Sequence, residues 1–226
     1  MKMNLMAGGL VTLACASFAS AAASAAGMTA DRISVFKAPL VCPAAPQIGC
    51  GSASKPILLD VERQPGVLEA WLNRAGTIIA VVWKPDVNAE ARGHVAADLK
   101  EDHATEMQGE SRDEAVKDFL SGKPWYRGAD VDRLSEEEAA IVAARFVRRI
   151  EAKTTLEKEK ADALRHALAD AITKRTTNDN FRPDNAGVLK LEDEVQKAGG
   201  QSLDANQRAA LKEAIGAGWR PLPNEN

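Results

Sequence analysis

Aromatic residues make up only 4% of this chain, and tyrosine occurs once. Any core must therefore be built from Ala, Leu, Val and Ile, which suits helices that pack through thin seams. Histidine occurs three times and cysteine three times in 226 residues. No Ser-His-Asp arrangement, no HExxH and no GxxxxGK[ST] loop is legible, so the chain reads as a binding protein rather than an enzyme. Net charge is −3, without the basic excess that a nucleic-acid surface needs. The apolar share of 45% is that of a globular protein. Charged residues interrupt the chain often, and no apolar run after the N-terminus is long enough to span a bilayer.

What is present begins with a leader. Lys2 is the only charge before Asp31, and Leu5–Phe18 is an apolar run of signal-peptide length. The small residues at 21–26 offer cleavage sites, so residues 1–26 read as a signal peptide with cleavage near Ala26. Cys15 would instead carry a lipid if the leader were a lipoprotein signal, but Thr12 stands where that motif wants a Leu-like residue. The expected compartment is periplasmic or extracellular, with no transmembrane segment in the mature chain. There, the two cysteines left, Cys42 and Cys50, are a disulfide or a metal pair.

The mature chain divides by period. Arg32–Val41 alternates like a half-buried strand. Val41–Pro56 is a Pro/Gly/Ala loop carrying both cysteines, and Ser54–Gln64 continues it as a short helix with Pro56 in its first turn. Pro65-Gly66 stops it, Val67–Asn73 reads as a strand, and Thr77–Lys84 is a β-branched run that reads as the clearest strand of the chain. Trp71, Trp83 and Trp125 are expected to pack this unit. From Leu134 onward the period is 3.6. Ser135 and Glu138 have capping-box spacing, with Glu136–Glu138 suited to a helix start. Ala139, Val142, Ala143, Phe146, Val147 and Ile150 then form one stripe. Three further helices are expected, one capped by Thr154 and Glu157 and the others over Val188–Ala198 and Ser202–Gly216. The expected domains are 31–132, an α/β unit with the cysteine loop, and 133–226, a helical region. The fold class is α+β.

Certain residues carry a resemblance. Cys50 stands just before a helix, followed by Gln64-Pro65-Gly66-Val67, then Ala70-Trp71-Leu72-Asn73, Gly76 and Ala80–Asp86. This succession resembles the heavy-metal-associated domain of mercuric-ion binding proteins and copper chaperones, over residues 31–86. The resemblance implies a ferredoxin-like βαββαβ unit. Its second helix would be Ser111–Leu120, its last strand Pro124–Val131, and 87–110 an insertion, helical from Ala89 to Met107. It also implies a metal bound at the β1–α1 loop. The chain departs from that family in spacing its cysteines by seven residues and in lacking the methionine before the first.

Three chemistries are open to Cys42 and Cys50: a disulfide stapling the loop, a two-thiolate site for Cu(I) or Hg(II), and thiol–disulfide exchange with Cys50 attacking. Soft thiolates select soft ions, and a helix start lowers a thiol pKa. His103 and Met107 would share a helix face and suit copper as weaker ligands. Gly49–Ser52 with Lys55 is an anion cradle or simply a loop that must turn. The function expected is binding or handover of copper or mercury to a protein partner by thiolate exchange. The alternatives are a disulfide-stapled interaction module whose helical face meets a partner, and a thiol–disulfide oxidoreductase.

Overall fold

The computed structural model describes residues 28–181 and 184–225. The leader, its cleavage region and Cys15 lie outside these residues. Mixed helix and sheet is what forms, an α+β protein. The sheet has five strands: β1 (Ile33–Lys37), β2 (Val67–Asn73), β3 (Ile78–Trp83), β4 (Thr105–Glu106) and β5 (Trp125–Arg127). Their spatial order is β4-β1-β3-β2-β5, and every neighbouring pair is antiparallel. Helices α1 (Gly51–Arg63), α2 (Ala89–Glu101) and α3 (Gly109–Leu120) accompany it. Helices α4 (Asp132–Glu151), α5 (Lys158–Thr176), α6 (Asn185–Gly200) and α7 (Ala205–Gly216) complete the chain.

β3 is a continuous apolar run because both faces of the sheet are covered. Ile79, Val81 and Trp83 face α1, α2 and the C-terminal helices, together with Phe36, Leu58, Val61, Val95 and Leu99. Ala80 and Val82 face the other way, with Ile33, Val35 and Trp71, under Ala115 and Val116 of α3. Phe119 stands edge-on between Trp71 and Trp125, with centroids at 5.9 and 5.1 Å. Trp83 lies on the opposite face, where its indole N–H donates to Ser34 at 3.0 Å. The α4 stripe expected from the 3.6 period is buried throughout, from Ala139 to Ile150. It joins the same core as the sheet, which runs on to Leu164, Leu168, Ile172 and Leu211. Among the described residues no helix is long and apolar enough to cross a membrane.

Several expected elements differ. Residues 87–110 are no insertion: they supply α2 and, at Thr105–Glu106, the strand beside β1. The expected edge strand 124–131 shrinks to three residues that pair with β2, on the opposite edge. α2 ends at Glu101, because Asp102 leaves helical geometry and His103 turns to a φ of +61°. His103 and Met107 therefore share no helix face. α4 starts at Asp132, a turn before the expected cap, so Ser135 and Glu138 are interior residues and make no capping box. Glu157 flanks α5 without a side-chain cap. The reciprocal capping box forms at α7 instead, between Asp204 and Gln207.

The segment after β1 sets where the cysteines stand. The chain continues beside the β2–β3 turn, with Ala38 N–H donating to Thr77 O at 2.8 Å and Leu40 N–H to Gly76 O at 2.9 Å. Gly76 sits at φ +71°, and a Cβ there would lie 2.4 Å from Leu40 O and 2.5 Å from Gly49 Cα. Both the backbone angle and the contact demand glycine. Gly76→Ala is expected to lower unfolding free energy in urea by about 2–4 kcal/mol, a size associated with combined backbone strain and overpacking.

Candidate functional site

The cysteine loop is not a free surface loop. Cys42, Ala44, Ala45, Ile48 and Cys50 are all buried, and their apolar side chains draw the loop into the core. Val41 and Gly49 form an antiparallel bridge. Around it, Cys42 N–H donates to Ile48 O at 2.8 Å and Cys50 N–H to Leu40 O at 2.7 Å. Cys42 thus lies opposite Ile48, and Cys50 opposite Leu40. The two cysteines are diagonal neighbours on one side of a small hairpin, and both are free thiols.

Cys50 occupies the N-cap of α1, a turn earlier than the expected helix start at Ser54. α1 begins directly against the first turn of α4. A Cβ on Gly51 would lie 2.4 Å from both Ser135 Oγ and Val131 O, so glycine here permits close approach of two helices. Gly49 has a similar duty, with Gly76 Cα at 2.9 Å from its would-be Cβ. Lys55 is engaged elsewhere, with Asp132 at 2.8 Å and Asp179 at 2.6 Å. It therefore adds no free charge to the loop.

α4 brings the third member. Cys42 Sγ, Cys50 Sγ and a carboxylate oxygen of Glu138 all lie within 4.8 Å of one another. Glu138 Oε2 is buried and has no hydrogen-bond partner among the described residues. A buried carboxylate oxygen without a partner is costly, so this arrangement is one that a cation or proton would complete. Its surroundings push the Glu138 carboxyl up to about 7, through burial first and the neighbouring Cys50 charge second. Cys50 moves the other way, down to about 6. The main cause is its hydrogen bond with Cys42, with support from the Ser52 hydroxyl and the backbone N–H groups of Ala53 and Ser52 at the helix start. Cys42 is pushed up, because it keeps the proton it shares with Cys50, is buried, and faces Glu138. The site therefore has one thiol disposed to ionise, one to stay protonated, and a carboxyl that holds a proton up to about neutral pH.

His103 and Met107 do not join this group. His103 is exposed in the turn after α2, and Met107 packs against the α3 side of the sheet. Glu138 is the site residue that sequence reading misses. Its spacing from Ser135 mimics a cap. A better signal is the helical spacing of polar residues, Ser135, Glu138, Arg145 and Arg149 at steps of 3, 7 and 4, beside the apolar stripe.

Among known proteins, the chain matches no family model, and neither a characterised protein nor a solved structure is significantly similar to it.

Two outcomes are expected of the metal-free, reduced protein. Alkylation by iodoacetamide at pH 7 should modify Cys50 well before Cys42, with a Cys50 rate that rises to half its plateau near pH 6. Peptide mass mapping reads the two rates. Second, a carboxyl whose folded pKa is raised binds its proton more tightly in the folded state. Its stabilising contribution is present below pH 4.5 and lost as pH rises through 7. Cys50, depressed from 9.0 to about 6, acts with the opposite sign between those values. The comparison with Glu138→Gln isolates the carboxyl. Urea melts should show wild type losing on the order of 2–3 kcal/mol relative to Glu138→Gln between pH 4.5 and 8.

Proposed function

We propose that this chain is an exported binder of a soft metal ion, Cu(I) or Hg(II), with Cys42 and Cys50 as thiolate ligands and Glu138 as a third donor. The observation that carries this reading is the convergence of two free thiols and the Glu138 carboxylate within 4.8 Å, with the Oε2 of that carboxylate buried and without a hydrogen-bond partner among the described residues. Soft sulfur ligands favour these ions over hard ones. The metal is cargo here.

The hairpin geometry supports metal over a staple. Diagonal neighbours across antiparallel backbones have Cα atoms roughly 7–8 Å apart, whereas a disulfide wants its Cα atoms roughly 5.5–6 Å apart. An ion between the sulfurs, each bond roughly 2.3 Å for a zinc-like ion, spans such an offset without moving the backbone. The arrangement speaks against the disulfide-stapled module for the same reason. Thiol–disulfide exchange remains as a second reading, favoured by the depressed Cys50 thiol at a helix start.

The strand order supports the ferredoxin-like part of the reading. β1, β2, β3 and β4, with α1 after β1 and α2 after β3, make a split βαβ pattern in the order β4-β1-β3-β2. The cysteines stand in its β1–α1 connection, where the heavy-metal-associated domain binds its ion. This chain adds α3 and β5, and four helices of which α4 meets the loop. The leader pattern of residues 1–26 supports export. Handover to a thiolate-bearing partner would begin at Cys50, which is 9% exposed against 1% for Cys42.

Titration of the reduced, metal-free protein with Hg(II), and with Cu(I) against a chromogenic chelator, is the test. One ion per chain is expected, with Cys42→Ser and Cys50→Ser each losing binding and Glu138→Gln weakening it by about tenfold. Binding that survives Cys42→Ser, or no retention against a weak competitor, would overturn the proposal. In the latter case, Cys50-dependent reduction of a disulfide substrate would favour the second reading.

A further inference from the structure

Beyond Glu138, α4 carries two more buried charges, Arg145 at 3% exposure and Arg149 at 7%. A buried guanidinium is stabilised by the acceptors it reaches, so the partners show what each is for. Arg149 closes the C-terminus. It grips Glu225 through two bonds of 2.8 and 2.7 Å, and donates to the carbonyls of Ala214, Gly218 and Arg220. That grip holds the Glu225 carboxyl down to about 2, so this anchor is charged throughout the physiological pH range.

Arg145 has a different set of partners. One of its terminal nitrogens donates to Ala44 O at 2.8 Å, inside the cysteine loop, and to Trp219 O at 2.5 Å, in the C-terminal tail. Its Nε is buried without a hydrogen-bond partner among the described residues, with Glu225 Oε2 at ion-pair distance, 4.0 Å away. Ala44 is part of the turn that carries Cys42, closed by the Ala45 N–H to Cys42 O bond at 3.2 Å. The tail is fixed at further points: Trp219 stands edge-on to Phe146 with centroids at 5.3 Å, and its indole N–H donates to Glu192 at 3.1 Å. The loop tip at Pro46 and Gln47 and the tail at Pro221 and Glu225 line one cleft with Arg145.

We infer that Arg145 is a positioning residue for Cys42, and that the tail Trp219–Glu225 is a clasp that keeps Arg145 against the cysteine loop. Release of the clasp frees the Cys42 arm of the hairpin while Cys50, anchored at the start of α1, stays in place. An incoming thiolate then reaches both sulfurs rather than one. The clasp governs access to the thiols whether or not they bind a metal.

The test uses the full mature chain, reduced and metal-free, so that it reads nothing of metal affinity. Native protein is pulsed with N-ethylmaleimide, and mass mapping gives separate rates for Cys42 and Cys50. Glu225→Gln and Arg145→Gln are expected to raise the Cys42 rate by about tenfold or more, as a local opening would, and to leave the Cys50 rate within about twofold. Arg145→Lys, which keeps the charge and can still reach one carbonyl, should restore part of the protection. Val95→Ala, in α2 on the sheet, serves as a control that lowers stability without touching the clasp. It should leave the ratio of the two rates at the wild-type value. An unchanged Cys42 rate in Glu225→Gln, or a ratio that moves equally in Val95→Ala, overturns the inference. If Arg145→Gln fails to fold by circular dichroism, Glu225→Gln and Arg145→Lys decide it.

Discussion

The contact on which this molecule turns is the one between the start of α1 and the first turns of α4. Gly51 has no room for a side chain beneath Ser135 and Val131. Because the two helices meet there, Cys50 stands at a helix terminus and Glu138 is delivered to its sulfur. Remove that approach and the sheet could still form, but the thiols would face no carboxylate. The glycines around Cys50 thus act by being small, at a place where backbones meet. The same contact accounts for Lys55 being drawn away to Asp132 and Asp179: α1 is tied at its side to the helical layer that covers its N-terminus.

The electrostatics of the site arise from that cover. A thiol at the helix start, a thiol beside a carboxyl, and a carboxyl out of water cannot all ionise together without a cation. The hydrogen bond between the two thiols favours charge on Cys50 and disfavours it on Cys42, helped by the backbone N–H groups of Ser52 and Ala53 at the first and by burial and Glu138 at the second. The result is an ordered set of proton affinities within one small volume. A monovalent or divalent soft ion would replace protons there rather than add to them.

Much of the fold is legible from residues. β2 lies where its sequence places it, β3 within a residue at each end, and the α4 stripe is buried from Ala139 to Ile150. What escapes has physical causes. The helix start at Gly51 rather than Ser54 is hidden because glycine signals turns when its neighbours are unknown. The strand at Thr105–Glu106 is two exposed residues with no alternation to read. Its role comes from pairing with β1, which is a tertiary fact. Glu138 escapes because Ser135-x-x-Glu138 satisfies a local rule for helix starts, while α4 begins earlier through the 3-10 turn Gly128–Val131. The loop itself is found from its cysteines alone, but its burial comes from Ala44, Ala45 and Ile48, small apolar residues that a loop can also carry at a surface.

The pairing of Glu138 with Cys42 and Cys50 bears on the order in which this chain matures. The hairpin, α1 and the first three strands are close in sequence and can associate early, whereas the carboxylate arrives from a helix that comes after the whole sheet. Contacts of such long separation form late, because a long stretch of chain must be closed before they gain anything. In a chain made from its N-terminus onward, both thiols exist for a time as open groups on a half-built protein. That interval is the one in which they are most exposed to wrong partners. Docking of the C-terminal helices therefore ends a chemically vulnerable period as well as completing a core.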